Sequence, residues 1–364
     1  MANGLFGGGD GTPENPYLVE DADDLDMIRW DVKAHYLQTR NISLKKFENW
    51  EPIMAADTNK GYSFIGTYDG NHFRITGLNI QYYDKNNAGL FGVIGTTYGW
   101  DDDESIKIGV VKNVHVSGKC AGSVNVGLIV GRMDETSSIT ECSASGEVLT
   151  QQNGGLLAGY INYAEISRCN TNGVVKFSHT KGNNIFIGGL AGQCYEGFVT
   201  DCYSLATIAA DVSNTDDYYI LAGGLLGHYS GTVKNSYAAN EFDLPMMIPD
   251  PGCYDAYFNN QGYSHEAATV KCTFDRSIGG LMAGNEYSDK NLISSFYDTS
   301  LHPYGTQNET GISHEEMKHK ENFVGWDFEN VWRIQEGKSY PYLLRPIVKG
   351  TCKSIEHFKL KEVE

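Results

Sequence analysis

The sequence predicts an all-β fold, a single-stranded parallel β-helix (solenoid) with short capping helices at both ends, and three observations predict it. A Gly-Leu pair recurs at Gly89-Leu90, Gly127-Leu128, Gly155-Leu156, Gly189-Leu190, Gly224-Leu225 and Gly280-Leu281, with spacings of 38, 28, 34, 35 and 56 residues. Each pair is followed by a second recurring segment: VKNVHVSG (111–118), ITECSASG (139–146), ISRCNTNG (166–173), VTDCYSLA (199–206), VKNSYAAN (233–240) and ISSFYDTS (293–300). The units are Gly-punctuated and rich in β-branched residues, without 3.6-residue periodicity, so each reads as two or three brief strands joined by turns. A fixed core at variable spacing means fixed strands and elastic loops.

One such unit cannot bury its apolar face alone, and stacking successive units supplies the core. The alignment puts Val111, Ile139, Ile166, Val199, Val233 and Ile293 at one repeat position. A second holds Val114, Cys142, Cys169, Cys202, Ser236 and Phe296, and a third holds Cys120, Val148, Val175, Ile208 and Phe242. The first two positions are three residues apart, which breaks in-out alternation. A bend is therefore expected at Asn113, Glu141, Arg168, Asp201, Asn235 and Ser295, polar residues suited to a corner. Tyr203, Tyr237 and Tyr297 align in one row on the flank.

The elements follow in chain order. Residues 1–87 form an N-terminal cap and first strands: acidic residues from Asp21 precede Leu25, Ile28 and Val32 on one face of a short helix, and strands follow at His35–Leu44 and Phe64–Ile80. The repeats occupy 88–312, with a Pro-containing insertion at 243–272. His314–Phe323 reads as a second short helix within a C-terminal cap at 313–350, closed by Tyr340-Pro-Tyr-Leu-Leu, and 351–364 is a polar tail.

Charge and composition exclude several function classes. With 28 Lys+Arg against 46 Asp+Glu the net charge is −18, so a nucleic-acid backbone or anionic lipid surface would repel the chain. No apolar run approaches the roughly 20 residues of a membrane span, and the N-terminal residues lack a secretion signal, so the expectation is a protein without membrane insertion or export. Eight cysteines without a CxxC pair read as reduced, packed thiols rather than a disulfide framework or zinc site.

On these residues the chain resembles the GLUG-repeat proteins, found among bacterial surface adhesins and phage tail or host-attachment proteins. GDGTPENPYLV (9–19) is similar to that family's entry segment, Gly66-Thr-Tyr-Asp-Gly-Asn-His-Phe-Arg-Ile to its GTFDGNGHTI element, and GWDFENVWRIQEGKSYPYLL (325–344) to its closing segment. The resemblance implies a scaffold with no common catalytic set. Without an export signal the leading expectation is a non-enzymatic phage tail or host-attachment protein in the virion, made in the host cytoplasm. Its partners would be a host surface polysaccharide or virion proteins, and it would associate as a homo-oligomer such as a trimer. A bacterial surface or secreted adhesin fragment is the alternative.

Among candidate sites, Glu141 and Asp201 share the corner position two rungs apart, about 9.6 Å, near the separation of inverting glycosidase carboxylates. Arg168 falls between them, so the set reads first as a surface charge match; a tailspike-type glycan hydrolase or lyase is the runner-up. Asp101-Asp102-Asp103-Glu104 is a solvated loop before it is a calcium site. Neither the single Gly-rich stretch 7–11 nor His314 and His319 make a metal site, and no cofactor is expected. Aromatic loop residues are the ligand-binding candidates: Tyr98, Trp100, Tyr218, Tyr219, Tyr229, Tyr254 and Tyr257, in or beside the loops 94–107, 209–219 and 243–272.

Overall fold

The computed structural model describes residues 6–54, 63–96, 108–177, 184–210, 220–243, 276–285, 292–302, 305 and 309–344. It is mostly β, with large parallel sheets of which one curls into a half-barrel. Strands from successive repeats lie side by side and in parallel, and nearly every pair is offset by one whole repeat.

The first recurring position forms one column of inward side chains. Val111, Ile139, Ile166, Val199 and Val233 are mutual register partners, and all are fully buried. The column also runs back through Tyr68 and Tyr36 to Tyr17, so the N-terminal strands Tyr17–Val19, His35–Gln38 and Thr67–Asp69 add rungs to the same sheet. Aromatics replace Val and Ile there because the interior must close: Phe6 stacks on Tyr17 at 4.6 Å. The helix Ala22–Met27 buries Leu25, with Ile28 buried just beyond, and Asp21 caps it by accepting from the Asp23 and Asp24 N–H groups.

The long strand Ala191–Thr200 shows how two columns join. Its first half pairs with Ala158–Asn162 and its second half with Glu165–Ser167, so both columns belong to one 13-stranded sheet. After the corner the chain enters a 10-stranded sheet through Ser143–Thr150, Asn170–Phe177 and Tyr203–Ala210, whose inward residues Ile80, Cys120, Val148, Val175, Ile208 and Phe242 are in register. A four-stranded sheet through Ile185–Gly188 and Ile220–Gly223 leads to the Gly-Leu turns.

Each Gly-Leu turn is a hydrogen-bonded rung. The Leu90 N–H donates to the Leu128 carbonyl (3.0 Å), Leu128 to Leu156 (2.9 Å), Leu190 to Leu225 (2.9 Å) and Leu225 to Leu281 (2.7 Å). Glycine is required because these backbones nearly touch: a Cβ at Gly224 would stand 2.0 Å from the Gly280 carbonyl oxygen. At the last turn no further rung follows among the described residues, and the Glu309 carboxylate accepts from the N–H groups of Gly280 (2.9 Å), Leu281 (2.8 Å) and Met282.

The predicted bend is present at Asn113, Glu141, Arg168, Asp201 and Asn235, all left-handed with φ between 49° and 56°. In the last repeat the left-handed residue is Ser294 rather than Ser295, because Leu292, not Ile293, pairs with Val233. That one-residue shift leaves Ile293 exposed, turns the Ser295 hydroxyl inward and places Phe296, not Tyr297, beside Tyr237.

The C-terminal segment also departs from expectation. His314–Phe323 forms two 3-10 turns, Glu316–Lys318 and Lys320–Asn322, instead of one helix, since His319 between them is extended (φ −118°, ψ 120°). The segment packs along the flank: Met317, Phe323, Trp326, Trp332, Tyr340 and Leu343 build a second core on the outward side chains of Tyr237 and Ala239. Tyr203 and Tyr237 stack beneath it, 5.1 Å apart and nearly parallel. Trp332 Nε1 donates to Asp201 (3.1 Å), Trp326 Nε1 to the Ser294 carbonyl (2.8 Å) and Tyr237 Oη to the Pro341 carbonyl (2.8 Å), fixing this clasp across several rungs.

Candidate functional site

The corner ladder was the place to look for paired carboxylates. Arg168 Nη2 lies 3.0 Å from Glu141 Oε1, while Asp201 Oδ1 accepts the Trp332 indole N–H. Glu141 is thereby neutralised, and Asp201 is a structural acceptor under the clasp. Where the clasp overhangs the corner, His72, His115, Glu141, Arg168, Asn330, Val331, Leu343 and Leu344 line a shallow hollow with a free volume of about 40 Å³. That holds a few waters, whereas small-molecule sites run to roughly 300 Å³ or more.

Of the aromatic candidates, Tyr98, Trp100, Tyr218, Tyr219, Tyr254 and Tyr257 lie outside the described residues, as do Asp101–Glu104 and most of the loops that carry them. Tyr229 is described, and it is a core residue rather than a ligand contact. It is fully buried and its hydroxyl donates to the Gly231 carbonyl, so burial pushes its ionisation far above the ordinary tyrosine range. The reason is its register: it pairs with Cys194, an inward position of the long strand. Among the described residues no group of three or more His, Cys, Asp or Glu side chains is placed to hold a metal ion.

The structure instead brings out an aromatic corner that the sequence reading missed. A second line of left-handed residues, Thr136, Tyr163 and Glu196, turns the chain between the two columns of the large sheet. Tyr163 stands there with φ +50°, a conformation that suits Gly or Asn, and its ring is 48% exposed. It meets Tyr195 edge to face at 5.4 Å and 79°, and the hydrogen bond between their hydroxyls pushes the Tyr163 ionisation upward. One rung on, Phe198 is 55% exposed on an outward position that Glu165 and Thr232 fill in the adjacent rungs. Beside them, Arg132 is committed to Asp134 (2.7 Å) and to the face of Tyr160 (5.5 Å). The available signal was an apolar residue directly before the inward Val199, where alternation demands a polar one.

With this geometry in hand the chain can be set beside known proteins. It is 27% identical to a provisionally named Gly-rich membrane protein of Evansella cellulosilytica over 93% of its own length and 45% of that protein's. It is 30% identical to halomucin of Haloquadratum walsbyi over 43% of its length and 2% of halomucin. The chain thus spans less than half of either relative. In fold it is similar to a protein of Bacteroides ovatus provisionally named an immunoglobulin A1 protease, with a TM-score of 0.61 at 18% identity, covering 94% of this chain and 96% of that one. No family model matches the chain. No helix among the described residues is long and apolar enough to cross a membrane.

Proposed function

We propose that the chain is a GLUG-type parallel β-helix serving as a non-enzymatic scaffold of a cell-surface protein, with recognition carried on its outer faces. The observation that carries this reading is the aromatic corner. Tyr163 and Phe198 expose rings at positions where packing does not need them, on a backbone held by strands on both sides. The stacked columns supply rigidity, and the hollow under the clasp, with about 40 Å³ of free volume, is too small for a sugar ring. Repeat scaffolds of this kind bind along their surfaces rather than within a pocket.

The relatives' names, a membrane protein and a halomucin, favour a cell surface over the virion location expected from the sequence. The hydrolase alternative is weakened by the Glu141–Arg168 ion pair and the Asp201–Trp332 hydrogen bond, which occupy its two carboxylates. The protease named in the fold neighbour supports an assay, not an assignment.

The test is retention of the purified chain by intact bacterial and archaeal cells, read together with released reducing ends, unsaturated sugar products and cleavage of immunoglobulin A1. Retention without any product is expected. Product formation that survives repurification would overturn the scaffold reading.

A further inference from the structure

We propose that Tyr163 and Tyr195 form a site of oxidative cross-linking, at which a peroxide-driven oxidant joins their rings through a carbon–carbon bond and staples two adjacent rungs. This goes beyond the scaffold reading above and does not depend on it.

The corner itself does not require a tyrosine. Thr136 and Glu196 take the same left-handed turn on the neighbouring rungs, whereas Tyr163 takes it with its ring 48% exposed and gains no burial in return. What its position supplies is a phenol held against a second phenol. The Tyr163 N–H donates to the Tyr195 carbonyl at 2.9 Å, so the two backbones are fixed on adjacent rungs. The rings meet edge to face, with centres 5.4 Å apart and planes at 79°, and their hydroxyls are hydrogen-bonded. Coupling ortho to the hydroxyls gives a biphenol whose hydroxyls lie side by side and whose rings are twisted. The pair approaches that arrangement before any bond forms, which favours reaction within the chain over reaction between chains.

Other tyrosines among the described residues lack either access or a partner. Tyr203 and Tyr237 stack at 5.1 Å, Tyr237 and Tyr340 meet at 6.2 Å, and Tyr17 and Tyr36 at 5.7 Å, but Tyr17, Tyr36, Tyr237 and Tyr340 are all buried. Tyr83 and Tyr342 are exposed, and no described tyrosine ring stands against either. At the corner Tyr163 is open to solvent and Tyr195 partly so. Glu135 and Glu196 lie close enough for their charge to be felt at Tyr163, and negative charge nearby eases removal of an electron from the ring.

The step balances as two phenols and one hydrogen peroxide giving one biphenol and two waters. Each phenol gives up one electron and one proton, and the two radicals couple carbon to carbon. The hydrogens on the coupled carbons then move to the oxygens and restore both aromatic rings. The product closes a loop between residues 163 and 195 and constrains the unfolded chain as a disulfide does, without being reducible.

The experiment treats the whole chain, dilute enough to disfavour contact between copies, with a haem peroxidase and limiting hydrogen peroxide. Expected are a monomer lighter by two hydrogens, blue dityrosine fluorescence, and a proteolytic fragment that joins the peptides of Tyr163 and Tyr195. Tyr163→Phe and Tyr195→Phe should each lower the yield of that product about tenfold or more while leaving the circular dichroism spectrum unchanged. The linked chain should melt several degrees above the unlinked one, and a thiol reductant should not reverse the gain. An intrachain link mapped to another pair, or its persistence in either variant, would overturn the proposal. So would the absence of a link in a mixture that couples added N-acetyltyrosine, or a linked chain that melts lower, since the corner would then have to be strained to close the bond.

Discussion

The backbone N–H of Cys142 donates to Sγ of Cys169, one rung away, at 3.4 Å. The relation repeats up the stack: Cys169 donates to Cys202 (3.4 Å), Cys202 to Ser236 Oγ (3.0 Å) and Ser236 to Ser295 Oγ (3.1 Å). Each thiol or hydroxyl also donates to the carbonyl two residues before it, as Cys169 does to Ser167 (3.2 Å) and Ser236 to Lys234 (2.9 Å). The column thus satisfies the N–H groups released where the chain turns its corner. These cysteines are buried acceptors, and burial raises the Cys202 thiol well above its usual value, with the hydrogen bond to Cys169 adding to the shift.

Serine can take this role and valine cannot. Cys169→Ser should preserve the ladder at a cost of about 1 kcal/mol or less, while Cys169→Val leaves the Cys142 N–H buried without an acceptor and should cost about 1–3 kcal/mol. Urea melts of the two variants decide it, with the reverse order contradicting the ladder's importance. Mass-spectrometric mapping after iodoacetamide treatment should likewise find Cys120, Cys142, Cys169, Cys194 and Cys202 unlabelled in the native chain and labelled in urea.

The repeat made most of this legible from sequence, because a column of stacked Val, Ile and Cys has to show itself as spaced identities. The first column appeared at five of its rungs, from Val111 to Val233. It was misread where the identities change: Leu292-Ile293 offers two candidates for one inward position, and only the serine ladder through Ser295 resolves them. Three things left no periodic trace. The clasp is held by single long-range bonds such as Trp332 to Asp201, between residues 131 apart. The buried amide chain Asn153 to Asn125 (2.8 Å) to Asn87 (2.9 Å) spans three turns whose spacings differ. Tyr163 and Phe198 expose rings where the pattern alone predicts polar side chains, and an isolated break in alternation carries no periodic signal.

Glu309 closes an edge that would otherwise continue. Its carboxylate takes the three N–H groups that in the turns at Gly127, Gly155, Gly189 and Gly224 are satisfied within the stack. Glu309→Ala should therefore destabilise the last repeats by about 1–3 kcal/mol and expose a pairing edge. Hydrogen exchange should accelerate at Gly280–Met282 first, and light scattering should show concentration-dependent association. Unchanged exchange there would mean that another group takes over the cap.

The corner tyrosine makes a prediction about stability alone. Tyr163→Gly removes the side-chain penalty of the left-handed backbone, at φ +50°, and sacrifices only a half-exposed ring. A melting temperature equal to or a few degrees above the native value is expected by differential scanning calorimetry. A clear fall would mean that the Tyr163–Tyr195 contact stabilises the fold, which would weaken the case that the ring is displayed for a ligand.

On the outer face of the 10-stranded sheet, Glu147 Oε2 meets Lys119 Nζ at 2.6 Å and Glu147 Oε1 meets Lys176 Nζ at 3.0 Å, across three successive rungs. Hydrogen bonds from Lys119, then Lys176, hold the Glu147 carboxyl below its ordinary value of 4.5. The folded state therefore favours the ionised form, and the stabilisation is complete above 4.5 and lost as the pH falls through the lowered folded value. All three side chains are substantially exposed, so the contribution at neutral pH is under about 1 kcal/mol and shrinks with added salt. Melts of Glu147→Gln and the native chain should differ at pH 7 in low salt and converge both at pH 2 and at 1 M sodium chloride. A difference that persists under either condition would assign the effect to packing of the Glu147 stem between neighbouring rungs, since packing responds to neither protons nor ionic strength.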